Sequence, residues 1–373
     1  MAAAMSGALY NTALGYNTHN GLTTGDYNTV LGSTAGYVLS SGTKNTVCGS
    51  YALSTSTDVD NAVAIGYNAM QAGDVTDAAD GTVAIGYEAL KALTSGIGNL
   101  AIGYQAMDGN QTSDYNIAIG YDTLSALTAD GTAGNVAIGH AAGQSVLSGT
   151  GNVAVGYTAL QNANGSETDN VAIGYQAMTN VDASSSGANN IAIGRNALIG
   201  GGTTTTVGNI AIGGSALSAT AGNDQTGTIA IGKSALSALT SGAGNVGVGF
   251  SVLGTTTLGA RNTAIGYAAM HDTDANFTQA SCVVTESDAT VTHPANTNTV
   301  TGMSVTGTGI PGDSYIASRT SNTEFELNTS SGLTSGTVTL TFSGAVNSID
   351  NTFIGYASGG GTWTYDRSNY NTA

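Results

Sequence analysis

The chain has 373 residues, 55 of them glycine and two proline, and its 24 acidic and seven basic side chains give a net charge of −17. Such a charge repels nucleic acid and anionic membrane surfaces; glycine without a three-residue period excludes collagen, and 8% charged residues exclude a charged disordered chain. A hydrophobic fraction of 41% permits a core, but a thin one, because much of it is alanine and only 6% of residues are aromatic.

Residues Met1 to Tyr10 carry neither a basic region nor a long apolar run, and no later segment reaches the length of a membrane span, so membrane insertion is not expected. One phrase then recurs sixteen times, with Asn135, Val136, Ala137, Ile138 and Gly139 as its clearest copy. Its glycines run through Gly15, Gly32, Gly49, Gly66, Gly86, Gly103, Gly120, Gly139, Gly156, Gly174 and Gly194 to Gly266 and, after a gap, Gly355; the first fifteen lie 17 to 20 residues apart. That period is too short for a domain and suits one turn of a solenoid. The spacing predicts an all-β chain, a parallel β-solenoid or β-roll of about 16 coils with 17–20 residues each, over residues 1–270 and again over 351–373.

Within a copy, Val136 and Ile138 share one face of an extended segment, and Ala137 and Gly139 the other. The β-branched face is expected to line the inside of the coil, and the small-residue face to admit a second backbone or another chain. Tyrosine follows the glycine in nine of sixteen copies, as at Tyr67, Tyr87, Tyr104 and Tyr157. Leu or Met stands four residues after it in twelve, as at Leu90, Met107, Leu160 and Leu217, where it would close the interior. Asparagine stands four residues before the glycine in thirteen, including Asn99, Asn116, Asn152 and Asn170, either in a ladder of side-chain hydrogen bonds or at a tight turn. Cys48 fills the slot of Ile138 in its own copy and reads as a small core residue; a disulfide to Cys282, the other cysteine, is not expected.

The gap of 89 residues between Gly266 and Gly355 exceeds one coil by some 70, so residues 271–350 are expected to form a separate small β-sandwich or barrel. Thr299 to Val305, Ser314 to Ala317, Thr323 to Leu327 and Thr337 to Phe342 are rich in β-formers, and Gly307 to Gly312 supplies a turn. At the termini, Tyr370, Asn371, Thr372 and Ala373 repeat the opening half of a coil, as at Tyr10 to Ala13, and Met1 to Met5 offers the closing half. A subunit junction through Met1, Ala4, Met5, Asn371, Thr372 and Ala373 would carry the array from one chain into the next; a cut through a longer array would leave the same ends.

Asn152, Val153, Ala154, Val155 and Gly156, with the other copies, resemble the head repeats of trimeric autotransporter adhesins, and similar arrays look common in bacteriophage tail fibres. The resemblance covers about residues 8–270 and 351–357. It implies a left-handed parallel β-roll with three chains associated about a threefold axis, a homotrimer. The repeat here is longer than the autotransporter's, and neither a coiled-coil stalk nor a membrane-anchoring barrel is visible. The expected role is therefore structural: a tail-fibre shaft or an extracellular filament, on a virion surface or outside the cell, with further copies of itself as partners. An adhesin that binds a cell-surface glycan through residues 271–350 or the loops is the alternative, and a polysaccharide-depolymerising tailspike a third reading.

Gly227, Gly232, Lys233 and Ser234 satisfy the spacing of a phosphate-binding loop, but Thr228 to Gly232 is another copy of the repeat and no helix is expected to follow it. His19, His140, His271 and His293 are scattered without paired metal-ligand spacing, and Asp58, Asp60, Asp74, Asp77 and Asp80 read as solvated loop charge rather than a calcium site. No catalytic residue, cofactor or metal is expected. The recurring tyrosines read as packing between coils or chains, with an exposed ladder that stacks on sugar rings as the alternative. Asn110, Asn164, Asn276 and Asn328 begin glycosylation sequons.

Overall fold

The computed structural model describes residues 6–71, 79–128, 131–163, 165, 167–180, 187–201, 206–221, 225–240, 242–254, 259–269, 277–295, 303–343, 348–349 and 352–354, and contains no helix among them. Two compact units divide the chain, residues 1–209 and 210–373. In the first, eleven three-residue strands pair in chain order, parallel and in register: Thr12–Leu14, Thr29–Leu31, Thr46–Cys48, Val63–Ile65, Val83–Ile85, Leu100–Ile102, Ile117–Ile119, Val136–Ile138, Val153–Val155, Val171–Ile173 and Ile191–Ile193. In the second, Ile210–Ile212, Ile229–Ile231, Val246–Val248, Thr263–Ile265 and Thr352–Ile354 do the same. Each unit is a parallel β-solenoid in which one repeat makes one coil and each strand lies on the strand of the next repeat.

The strands are turned the opposite way from the sequence-based expectation. Ala64, Ala84, Ala101 and Ala118 are fully buried, whereas the Val and Ile on either side of them are half-exposed, reaching 37% at Ile138 and Ile173. Cys48, in the same slot as Ile138, is exposed and not a core residue. The cause lies in the other side of the coil. There Ala89, Leu90 and Leu93, and their counterparts Ala52 and Leu53, Ala106 and Met107, are fully buried and already fill the interior. In most coils the space left beneath the strand accepts one small side chain, so alanine turns inward, while the coil of Ala52 and Leu53 buries Val47 in the same position. Volume exchange within single coils supports this. Val30 replaces the inward alanine where Gly36 replaces the long residue, and a Cβ on Gly36 would stand 3.2 Å from Val30 Cγ1. Gly247 replaces it where Val252 replaces the facing alanine, with a corresponding distance of 3.1 Å.

The long interior residue is carried on a turn of unusual backbone. Leu53, Met70, Leu90, Met107, Leu124, Leu160, Met178 and Leu198 all have φ between 46° and 54°, in the left-handed region. A β-branched side chain there would be an outlier, and this explains why the slot holds Leu or Met in twelve copies and Val or Ile in none. The conformation alternates the direction of the amides. Glu88 N–H donates to Tyr67 O of the preceding coil at 2.9 Å, and Leu90 N–H to Ala106 O of the following coil at 3.0 Å, so the turn is hydrogen-bonded on both sides.

His19 takes the place of that Leu in its coil. It is fully buried, and neither ring nitrogen has a hydrogen-bond partner. Burial lowers its pKa from 6.5 to about 4, and the Leu39 backbone offsets part of this without making a bond of proper geometry. The folded chain therefore resists a proton that the unfolded chain accepts. Stability is fully present above pH 6.5 and is lost as pH falls toward about 4, an effect of about 3 kcal/mol. Hydrogen-exchange protection of Tyr16 to Val30, taken relative to the intrinsic rate at each pH, is expected to fall over that window, and His19→Leu to remove that fall; protection that stays flat from neutral pH to 4 would contradict it.

A buried asparagine ladder runs beside the strands. From Asn99 through Asn116, Asn135, Asn152, Asn170 and Asn190 to Asn209, each Oδ1 accepts the backbone N–H of the next asparagine at 2.9–3.1 Å. The side-chain amides of Asn152, Asn170, Asn190 and Asn209 also donate to the preceding Oδ1 at 3.0–3.2 Å. Of the two sequence-based alternatives the ladder is the one present: the left-handed conformation falls on the residue just before it, such as Tyr115 or Asp169, and not on the asparagine.

The insert is a six-stranded antiparallel sheet in the order Ser304–Gly307, Gly336–Ser343, Phe277–Thr285, Asp288–Thr292, Glu324–Leu327 and Ile316–Ser321. It curls about Val284, Val291, Val305, Ile316, Phe325 and Phe342, all fully buried or nearly so. A bridge between Ser304 and Tyr315 joins the two edges, which makes it a barrel closed at that end. After the insert the chain returns to its coil, with Thr352–Ile354 pairing in register on Thr263–Ile265.

Candidate interaction surface

The inversion of the strands gives the solenoid an apolar outer face. In residues 63–193, Val63, Val83, Leu100, Ile117, Val136, Val153, Val171 and Ile191 form one row, and Ile65, Ile85, Ile102, Ile119, Ile138, Val155, Ile173 and Ile193 a second, all half-exposed to exposed. The first three coils differ, with Thr12, Thr29 and Thr46 in the first row. Residues 210–265 carry both rows again, with Ile231 and Ile265 exposed.

The repeat glycines edge this face. Gly66, Gly86, Gly103, Gly120, Gly139, Gly156 and Gly174 have φ of 129–140°, and a Cβ on any of them would meet the carbonyl group of the next repeat glycine. Gly194 shares the conformation at 133°. They are needed both for the bend and for the approach of successive coils.

Past the glycines stands an aromatic row. Tyr67, Tyr87, Tyr104, Tyr121, His140, Tyr157 and Tyr175 are stacked in sequence, with ring centroids 4.9–5.6 Å apart and planes within 14°. The Arg195 guanidinium lies over Tyr175 at 5.6 Å, and at the other end Tyr51 meets Tyr67 edge-on at 6.0 Å. In the second unit Lys233 lies over Phe250 at 6.0 Å, and Phe250 stacks on Tyr267. Arg195 and Phe250 were not singled out from the sequence, although each occupies the slot after a repeat glycine. From Tyr87 to Tyr175 each ring has a stacked neighbour or the Arg195 guanidinium on both sides, so the row shows solvent its edges. Stacking on a sugar needs an open face, which this row does not offer.

A polar cluster flanks the row. Glu88 accepts from Lys91 Nζ at 2.8 Å, Gln105 Nε2 at 3.0 Å and Asn68 Nδ2 at 3.5 Å, and these donors, Lys91 foremost, hold its carboxyl below the usual range. The Glu88 charge in turn raises the Tyr87 phenol.

The remaining sequence-selected residues are not brought together. Lys233 is on the aromatic row, and no helix follows Ser234. The Asp60 carboxylate accepts from the Thr43 amide and hydroxyl, and Asp80 accepts from the Asp60 amide at 2.7 Å, so these side chains cap neighbouring coils; Asp74 and Asp77 lie outside the described residues. His140 is in the aromatic row, His19 and His293 are buried in different units, and His271 lies outside the described residues. Among the described residues no group of three His, Cys, Asp or Glu is placed to hold a metal. Asn110 is fully buried, which makes its sequon inaccessible in the folded chain, while Asn328 is exposed. Met1, Ala4, Met5, Asn371, Thr372 and Ala373 all lie outside the described residues. No described helix is long and apolar enough to cross a membrane. No family model matches the sequence, and neither a curated protein nor a solved structure does.

Proposed function

We propose that the chain is a structural fibre protein, the shaft of a phage tail fibre or the subunit of an extracellular filament, that associates with further copies of itself through the apolar outer face. The observation that carries this is the pair of uncovered Val and Ile rows. A contiguous apolar strip of many coils exceeds what a monomer normally leaves in water. Over residues 63–193 the repeat makes the strip uniform, so a second identical strip can match it coil by coil. Three chains about a common axis is the arrangement implied by the resemblance to trimeric adhesin heads and tail fibres, with the Val and Ile rows rather than the small residues at the contact. Head-to-tail continuation through the half-coils at the two termini would lengthen such a fibre.

Sedimentation of the purified chain is expected to give a trimer, and Ile138→Lys with Ile173→Lys to give a monomer with unchanged circular dichroism, because outward side chains contribute little to the coil interior. A wild-type monomer, or a double variant that stays trimeric, would refute the association through this face.

A further inference from the structure

The aromatic row has a chemical consequence separate from packing. Tyr87, Tyr104 and Tyr121 occupy one slot on parallel coils in register, with centroids 4.9 Å apart, planes within 7° of parallel, and 41%, 41% and 46% exposure. Each ring thus presents its ortho carbon to the same atom of its neighbour, while its edge is open to a diffusing oxidant.

We propose that the row is an oxidative cross-linking site, at which a haem peroxidase and hydrogen peroxide couple neighbouring tyrosines to dityrosine and staple successive coils. The oxidised haem takes one electron from each of two phenols, and each phenol releases its proton to water. The two phenoxyl radicals join through a carbon–carbon bond between ortho positions. Each ring then moves its ortho hydrogen to oxygen and becomes a phenol again. In sum two tyrosines lose two hydrogens and one hydrogen peroxide becomes two waters. Coupling competes with quenching of each radical, and a fixed neighbour at stacking distance favours coupling.

The interruptions set which links form. Tyr67 to Tyr87, Tyr87 to Tyr104, Tyr104 to Tyr121 and Tyr157 to Tyr175 are stacked neighbours. His140 separates Tyr121 from Tyr157, and the Tyr51–Tyr67 pair is edge-on at 78°. Tyr10 and Tyr27, in a different slot, repeat the stacked geometry at 4.9 Å. A link between consecutive coils closes a loop of one repeat and constrains the unfolded chain much as a disulfide does, which suits a fibre exposed to shear or proteolysis.

The test uses the full chain, with isotopically light and heavy protein unfolded together and refolded into mixed assemblies, treated with a haem peroxidase and limiting peroxide, then digested and analysed by mass spectrometry. Expected are dityrosine peptides joining Tyr87 to Tyr104 and Tyr104 to Tyr121, with both halves carrying the same isotope. Tyr104→Phe, a ring already present in this slot at Phe250, is expected to remove both links and leave Tyr157–Tyr175 intact. His140→Tyr is expected to add links from position 140 to Tyr121 and Tyr157. Absence of dityrosine, mostly light–heavy pairs, or the same set of links in urea would overturn the proposal.

Discussion

Replacing Gly103 by alanine is expected to cost on the order of 5 kcal/mol and to part the coils on either side of it. Two effects add. Gly103 has φ of 140°, outside the region an L-residue adopts without strain, which alone costs about 1–3 kcal/mol. The new Cβ would also stand 2.6 Å from the carbonyl carbon of Gly120 and closer still to its oxygen. Backbone cannot rotate aside as a side chain would. The Gly120 amide is held by Ile102 O at 2.8 Å and the Gly103 amide by Ile85 O at 2.8 Å, so relief requires breaking ladder bonds worth about 1 kcal/mol each. Gly214→Ala is the control, since its Cβ meets nothing within 4 Å and its backbone is not left-handed; a change within about 0.5 kcal/mol is expected. Thermal melting, with hydrogen exchange at Leu100 to Gly120 to place the damage, decides between them. Equal melting of the two variants would show that the coils yield more easily than their contacts indicate.

The solenoid was legible because its signal is repetition, which does not depend on reading any single copy. The same holds for the insert, which shows as a break in the count and which the pairing of Thr352–Ile354 on Thr263–Ile265 closes. The direction of the strand was not legible from Val136, Ala137 and Ile138 alone. Alternation defines two faces, and the cross-section of the coil decides which is inside. That decision rests on residues such as Leu90 and Leu93, swung inward by a left-handed turn that the sequence shows only indirectly, through the absence of Val and Ile from the Leu90 slot. The compensating pairs Val30 with Gly36 and Gly247 with Val252 carried the same information, since residues that exchange volume share an interior.

This inversion also redirects the functional reading. With alanine inside, the small-residue face is no longer free for a neighbouring chain, and the surface that needs cover is the Val and Ile pair of rows. The tyrosine slot gains a role of a different kind. Its rings stack on one another from Tyr67 to Tyr175, so the recurrence of one residue type over those coils needs no ligand to explain it. His140, Arg195, Lys233 and Phe250 keep the slot occupied by a flat or cationic group, which is what stacking on a ring demands.

Asn152, like Asn170 and Asn190, has every side-chain polar atom hydrogen-bonded within the ladder, and Asn152→Ala is expected to cost about 4 kcal/mol. Its amide donates to Asn135 Oδ1 at 3.1 Å and to Glu167 O at 2.8 Å, and its Oδ1 accepts the backbone and side-chain amides of Asn170 at 3.1 and 3.2 Å. All of these groups are buried, so alanine leaves the Asn170 donors without an acceptor, and each orphaned group costs about 1–3 kcal/mol. The chain itself shows where alanine is tolerated. Ala62 stands in this slot and still donates its amide to Asn45 Oδ1 at 2.9 Å, but the next coil presents Thr82, which donates instead to Gly96 O at 3.3 Å. Asn152→Asp separates shape from hydrogen bonding, because it keeps the outline and replaces the donor with a second acceptor aimed at Asn135 Oδ1 and Glu167 O. Burial and those oxygens raise the pKa of the introduced carboxyl above its unfolded value of about 3.9, since only the protonated form can donate. The sign follows: the variant is least impaired below about pH 4 and loses stability as pH rises, opposite to the His19 effect. The stability difference between Asn152→Asp and the unsubstituted chain, measured by chemical denaturation at acidic and at neutral pH so that the His19 effect cancels, tests this, and a difference equal at both would mean that the ladder contributes outline rather than hydrogen bonds.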